Sequence, residues 1–270
     1  MSVHLDFFAL STEPFAKDIA DQDLWLPPSK RAVLDELIDA VEAKESVVLT
    51  GEPGAGKTCL LRALRHATPP ERFRLTYCHN ATLGRRDFYR QLCLVLGLAP
   101  SATAAAVFYA VSSHVQELAQ EQRLHPIFLL DEAHLLHQDT LDHLHILLNY
   151  EWDSKPLLSL ILVGLTDFEE RLRLRRNRSL YSRMARRLTI DPLRPDDTAD
   201  YLVTRLRRAG CDREVFHSDS IALLHEASAG SLRDIDRIAT ACLRAATRRK
   251  RKIVDRDVLA RVLKHHEASA

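Results

Sequence analysis

The sequence predicts an α/β domain, a three-layer arrangement around a parallel sheet, followed by a small all-helical lid. Three observations predict it. A glycine-rich loop, Gly51-Glu52-Pro53-Gly54-Ala55-Gly56-Lys57-Thr58, lies between the apolar run Ser46-Val47-Val48-Leu49-Thr50 and the helically spaced Cys59-Leu60-Leu61-Arg62-Ala63-Leu64. Two further apolar runs, 127–130 and 157–163, read as buried strands. Beyond Pro192 and Pro195 the pattern is helical throughout. The boundary is expected near there, with residues 1–191 forming the α/β domain and 192–270 the lid.

Composition narrows the class. The 270 residues are 46% hydrophobic and 28% charged, which suits a soluble globular chain of one large domain or a large and a small one. No run approaches the length that spans a bilayer, and residues 1–10 lack a signal-peptide pattern. The five cysteines are scattered without metal-ligand spacing, so a cytoplasmic protein without disulfides or membrane association is expected. Net charge is +1, but from Leu165 onward 24 Lys and Arg face 16 Asp and Glu, leaving the first 164 residues at −7. A basic second half suits a polyanion such as double-stranded DNA; solvated helix faces and arginines that serve neighbouring subunits are the alternative.

Taken in order, Phe7-Phe8-Ala9-Leu10 and Pro14-Phe15 form an irregular apolar lead-in. Ser29 is placed to cap a helix over 29–44 whose Val33, Leu34, Leu37, Ile38 and Val41 share a face. Phe15, Trp25 and Leu26 either line an adenine site or are plain core.

The loop itself is the form G-x-x-x-x-G-K-[ST] that cradles phosphates. A triphosphate needs backbone N–H groups aimed inward, and Gly51, Gly54 and Gly56 keep side chains out of the way. The helix entered near Cys59 points its N-terminal N–H groups at the same charge. Candidate nucleotide contacts are therefore Gly51, Glu52, Pro53, Gly54, Ala55, Gly56, Lys57, Thr58 and Cys59. Lys57 would reach the β- and γ-phosphates of ATP, and Thr58 would ligate Mg²⁺.

Pro69-Pro70 then breaks the helix, 73–78 alternates as a strand, and helices follow over about 85–96 and 102–122, separated by Gly97 and Pro100. The run Ile127-Phe128-Leu129-Leu130 delivers Asp131 and Glu132 at the carboxyl end of a strand. Asp131 fits the Mg²⁺ shell, and Glu132 fits the group that orients and deprotonates the attacking water. After a helix over about 139–150 and the strand at 157–163, Thr166 either senses the γ-phosphate or caps the helix at 167–175.

Residues 171–187 are dense in arginine and lead into a strand at 188–190. Arg183, then Arg187, are the candidates for a finger reaching a neighbouring subunit's nucleotide; the others read as surface charge or DNA contacts. Helices are expected over about 196–209, 219–229, 231–248 and 255–265. Arg233, in the first turn of the third, sits where the helix dipole disfavours a cation. It either contacts the γ-phosphate or pairs with Asp234 or Asp236. Arg248-Arg249-Lys250-Arg251-Lys252 fits phosphate contact or a solvated terminus.

This motif order resembles the AAA+ ATPases, and within them the group holding the ATPase module of general secretion pathway protein A and transposon-encoded regulatory ATPases. The likeness covers nearly the whole chain. It includes Phe7-Phe8-Ala9-Leu10 with Pro14-Phe15, Tyr77-Cys78-His79-Asn80, Leu147-Leu148-Asn149-Tyr150-Glu151 through Leu162-Val163-Gly164, and Gly230-Ser231-Leu232-Arg233. The resemblance implies an Asn80 switch on Glu132, a sensor-2 arginine at Arg233 and a trans-acting finger near Arg183 or Arg187. Where relatives carry Gln after the Val-Gly pair this chain has Leu165, which leaves Thr166 as the sensor-1 candidate. Asp131-Glu132-Ala133-His134 also spells a helicase box, but 270 residues are too few for two helicase domains. The expected function is Mg²⁺-dependent ATP hydrolysis by a homo-oligomeric ring or filament that binds double-stranded DNA and regulates a transposase. The alternative is an ATPase assisting assembly of a secretion or envelope complex.

Overall fold

A computed structural model describes residues 3–79, 83–99, 103–152 and 154–267. Contacts group the chain into two units. One comprises Pro28–Glu52 and Lys57–Ile190, the other Met1–Pro27, Pro53–Gly56 and Asp191–Ala270.

The first unit holds a five-stranded parallel sheet: β1 (Ser46–Gly51), β2 (Phe73–Cys78), β3 (His125–Leu130), β4 (Ser159–Gly164) and β5 (Met184–Ile190), in the order β2-β3-β4-β1-β5. β1, β3 and β4 are buried along their whole length. That is why they read as unbroken apolar runs: a central parallel strand is covered on both faces. The outer strands β2 and β5 alternate buried and exposed positions. β5 starts earlier than expected, so Arg186 and Arg187 lie inside it. An edge strand with one open face accepts long charged side chains there.

The helix Pro28–Glu42 begins at Pro28, one residue before the expected cap Ser29. Proline suits a first helical position, where its missing N–H has no partner to lose. The helix stops before Lys44, whose φ of 58° is left-handed. Helices Arg85–Val95 and Ala104–Gln120 pack Phe88, Leu92, Val107 and Val111 into one apolar cluster with Phe128 and Leu160 of the sheet. Thr103 caps the second of these by accepting the Ala106 N–H at 3.2 Å.

The second unit is helical: Val3–Phe8, Pro195–Arg208, Ser218–Ser228, Leu232–Arg248 and Arg256–Glu267. Its core contains Phe8, Leu10 and Phe15 beside Leu202, Ile235 and Leu243. The first 27 residues therefore group with the C-terminal helices and not with the α/β unit. Arg205, only 6% exposed, donates to the carbonyls of Pro14 at 2.6 Å and Ala16 at 2.5 Å and to the Tyr201 hydroxyl at 2.9 Å. Trp25 packs on Tyr201 with centroids 5.3 Å apart, and Phe15 meets Phe216 edge-on at 6.4 Å. Among the described residues no helix is long and apolar enough to cross a membrane.

Candidate nucleotide-binding site

In the α/β unit the carboxyl ends of β1, β3 and β4 lie at one edge of the sheet, because Leu130 registers with Leu162 and Thr50 with Gly164. The glycine-rich loop leaves from β1 at this edge. An added Cβ on Gly51 would lie 2.7 Å from the Ile190 carbonyl oxygen of β5, so only glycine allows that close approach. Gly54 and Gly56 have φ of 82° and 101°, which other residues rarely adopt. The next helix opens at Lys57, so its first N–H groups belong to the loop's end. The Lys57 ammonium donates to the carbonyls of Gly51 at 2.6 Å and Glu52 at 3.1 Å. Thr58 is exposed and Cys59 half-buried.

Asp131 follows β3 at the same edge and is only 6% exposed. Its Oδ1 accepts the Glu132 N–H at 2.9 Å and its Oδ2 accepts the Tyr77 hydroxyl at 2.8 Å. Burial, and then the Asp131 carboxylate, push the Tyr77 hydroxyl well above its ordinary pKa, so it stays a donor. Glu132 is exposed and held in a left-handed conformation, φ 54° and ψ 34°. Such a backbone costs of the order of 1–3 kcal/mol for a non-glycine residue. Its carboxylate lies 3.6 Å from the His134 ring. Arg171 braces this turn by donating to the carbonyls of His134 at 2.8 Å and Leu136 at 2.7 Å.

Residues 40–172 match the family described as AAA domain. The chain is 31% identical over 261 residues to general secretion pathway protein A of Aeromonas hydrophila. That alignment covers 95% of this chain and 47% of the relative, so the chain spans about half its length. Among solved structures, Cdc6p of Pyrobaculum aerophilum superposes with a TM-score of 0.68 at 19% identity, covering 89% of this chain and 67% of that one. The ORC1 protein of Aeropyrum pernix, solved in complex with DNA, gives 0.69 at 19% identity, covering 94% and 69%. The family match covers just under half of this chain. The chain's fold is the one these solved structures share.

Around this end of the sheet the other expected residues are placed unevenly. Thr166, just past β4, stands at the N-cap of its helix without a side-chain cap bond; its hydroxyl donates to the Glu52 carboxylate, joining the end of β4 to the glycine-rich loop. Arg183 precedes β5, whose Met184 registers with Ser46, so it lies at the opposite edge of the sheet from Gly51. Arg187 is exposed within β5, its guanidinium 4.1 Å from the Tyr181 ring centroid. Neither converges with Lys57 and Asp131. Asn80 lies outside the described residues.

In the helical unit Gly54 accepts the Leu232 N–H at 2.9 Å. A Cβ there would lie 2.1 Å from the Ser231 hydroxyl oxygen and 3.4 Å from the Arg233 Cβ. The ion pair expected as one alternative for Arg233 is not formed among the described residues. Asp234 pairs with Arg237 at 3.0 Å, and Asp236 accepts the Tyr201 hydroxyl at 2.6 Å.

In the arginine-rich stretch read as surface charge or DNA contacts, several side chains are ion-paired. Arg173 pairs with Glu169, Arg176 with Asp142 and Arg186 with Glu45. In the C-terminal basic run, Arg251 pairs with Asp255, while Lys252 donates to the Phe7 carbonyl and sits 3.7 Å over the Phe7 ring. Neither the Tyr77-Cys78-His79-Asn80 match nor the density of arginine at 171–187 marks the contacts of Tyr77 and Arg171, which join residues 54 and 37 apart in the chain.

Proposed function

We propose that this chain is an ATP hydrolase whose nucleotide state controls a DNA-bound homo-oligomer, a ring or filament, that regulates a transposase. One observation carries the hydrolase reading: the glycine-rich loop leaves β1 at Gly51, and the buried carboxylate of Asp131 follows β3, at the same edge of one sheet. Gly51, Gly54 and Gly56 leave room for the phosphates. Lys57, now resting on the loop's own carbonyls, turns its charge to the β- and γ-phosphates. A Mg²⁺ ion fits the oxygen donors Thr58 and Asp131; when bound, it neutralises phosphate charge. Glu132 orients the attacking water and takes its proton. Thr166 and Arg233 read the γ-phosphate, Asn80 restrains Glu132, and Arg183 or Arg187 completes a neighbour's site. The helical unit serves as the lid.

The DNA-associated part draws on the basic second half of the chain and on the fold shared with a protein solved on DNA. A second reading, an ATPase assisting assembly of a secretion or envelope complex, draws on the 31% identity to general secretion pathway protein A. Fluorescence anisotropy on duplex DNA separates the two. Tighter binding with a non-hydrolysable ATP analogue than with ADP, abolished in Lys57→Ala, is expected for the first reading. Equal or absent binding in all nucleotide states contradicts it.

A further inference from the structure

In the helical unit a groove of about 890 Å³ follows one face of the Leu232–Arg248 helix. Arg233, Arg237, Arg244 and Arg248 line it with Lys17 of the N-terminal segment, and all five are exposed. The arginines recur at steps of 4, 7 and 4 residues, which keeps them on one stripe of the helix. Asp236 is the single carboxylate lining the groove among the described residues, and it is engaged by Tyr201. Between the arginines lie the small residues Thr240, Ala241 and Ala245, so a ligand can approach the helix closely.

We propose that this face docks a chain of phosphates, the backbone of a nucleic acid. The proposal rests on the DNA-associated reading above and names its contact surface. At a rise of about 1.5 Å per residue, Arg237 and Arg244 are about 10 Å apart along the axis and Arg244 and Arg248 about 6 Å. A strand that carries a charge every 3.4 Å or so of its axis can satisfy both gaps. Each guanidinium offers a planar fork matched to phosphate oxygens. A protein partner fits less well. Protein interfaces pair arginines with exposed apolar or aromatic anchors, and among the described residues the sole Phe, Tyr or Trp lining this groove, Phe15, is only 6% exposed.

The test uses the full chain and leaves Arg233 intact. Duplex DNA binding is measured by anisotropy across a salt series, with a non-hydrolysable ATP analogue, for wild type and for the Arg244→Gln/Arg248→Gln double variant. The variant is expected to bind at least about tenfold more weakly, with the slope of log affinity against log salt shallower by about 2. Its binding of a fluorescent ATP analogue and its thermal midpoint are expected to stay unchanged, and Arg244→Lys/Arg248→Lys to recover the salt slope. If wild type binds DNA and the Gln variant matches it in affinity and slope, the surface is wrong while the DNA reading stands. If wild type binds no DNA, both fall. Loss of nucleotide binding in the variant assigns the groove to a mononucleotide's phosphates. Loss of self-association by light scattering, with DNA binding intact, assigns it to a second copy of the chain. Either result overturns the proposal.

Discussion

In the α/β unit the groups of the candidate site are placed by main chain. β1, β3 and β4 are buried end to end, and the loop and Asp131 continue directly from two of them. In the helical unit the corresponding work is done by side chains. Arg205 bridges Pro14, Ala16 and Tyr201, and Tyr201 passes the network on to Asp236. A ladder of backbone hydrogen bonds cannot be removed by one substitution and does not titrate. A buried side-chain network can be broken at one residue and responds to pH. The proposed phosphate site sits on the first kind of support, while the chain's N-terminal segment is fastened by the second.

The largest expected effect that separates the two comes from Arg205→Ala. It strands buried acceptors and should destabilise the helical unit by about 3–5 kcal/mol. Hydrogen exchange should rise in Pro195–Arg208 and Leu232–Arg248 and stay low in β1, β3 and β4; a uniform rise would erase the distinction.

The next effect is in pH dependence, where the units oppose each other. Burial lowers the His125 pKa to about 4 and raises that of Asp236 to about 6. The folded state therefore binds fewer protons at His125, whose contribution is present above about pH 6.5 and lost as pH falls through about 4. It binds more at Asp236, whose contribution is present below about pH 4 and lost as pH rises through about 6. Each is worth about 3 kcal/mol. In urea unfolding between pH 4 and 7, Asp236→Asn should fall in stability more steeply than wild type on acidification, and His125→Asn less steeply. Parallel curves for all three would count against these assignments.

The smallest effect tests the hydrogen bond that Tyr77, on the neighbouring strand, gives to Asp131. Tyr77→Phe removes a hydroxyl donor and should weaken binding of ATP with Mg²⁺ by about fivefold, or about 1 kcal/mol. Unchanged affinity by calorimetry would make that bond incidental.

How much was legible in the sequence follows the same divide. The loop at 51–58 and the Asp131-Glu132 pair are contiguous in the chain, and the strands that carry them are unbroken apolar runs, so periodicity and motif suffice. The assignment of residues 1–27 to the helical unit was not legible. It depends on Arg205 reaching residues 189 and 191 positions away, and Phe8 or Phe15 would suit any core. The arginines of 171–187 looked alike as residues. Only the fold shows that Arg171 braces a turn, that Arg173, Arg176 and Arg186 are paired, and that Arg187 lies within an edge strand. Tyr77 became visible once β2 was known to neighbour β3.

The measurement that bears most directly on the sheet-edge site is ATP binding and single-turnover phosphate release by Glu132→Gln. The account predicts near wild-type affinity for ATP with release slowed at least about a hundredfold. Release at the wild-type rate from a variant that binds normally would contradict it.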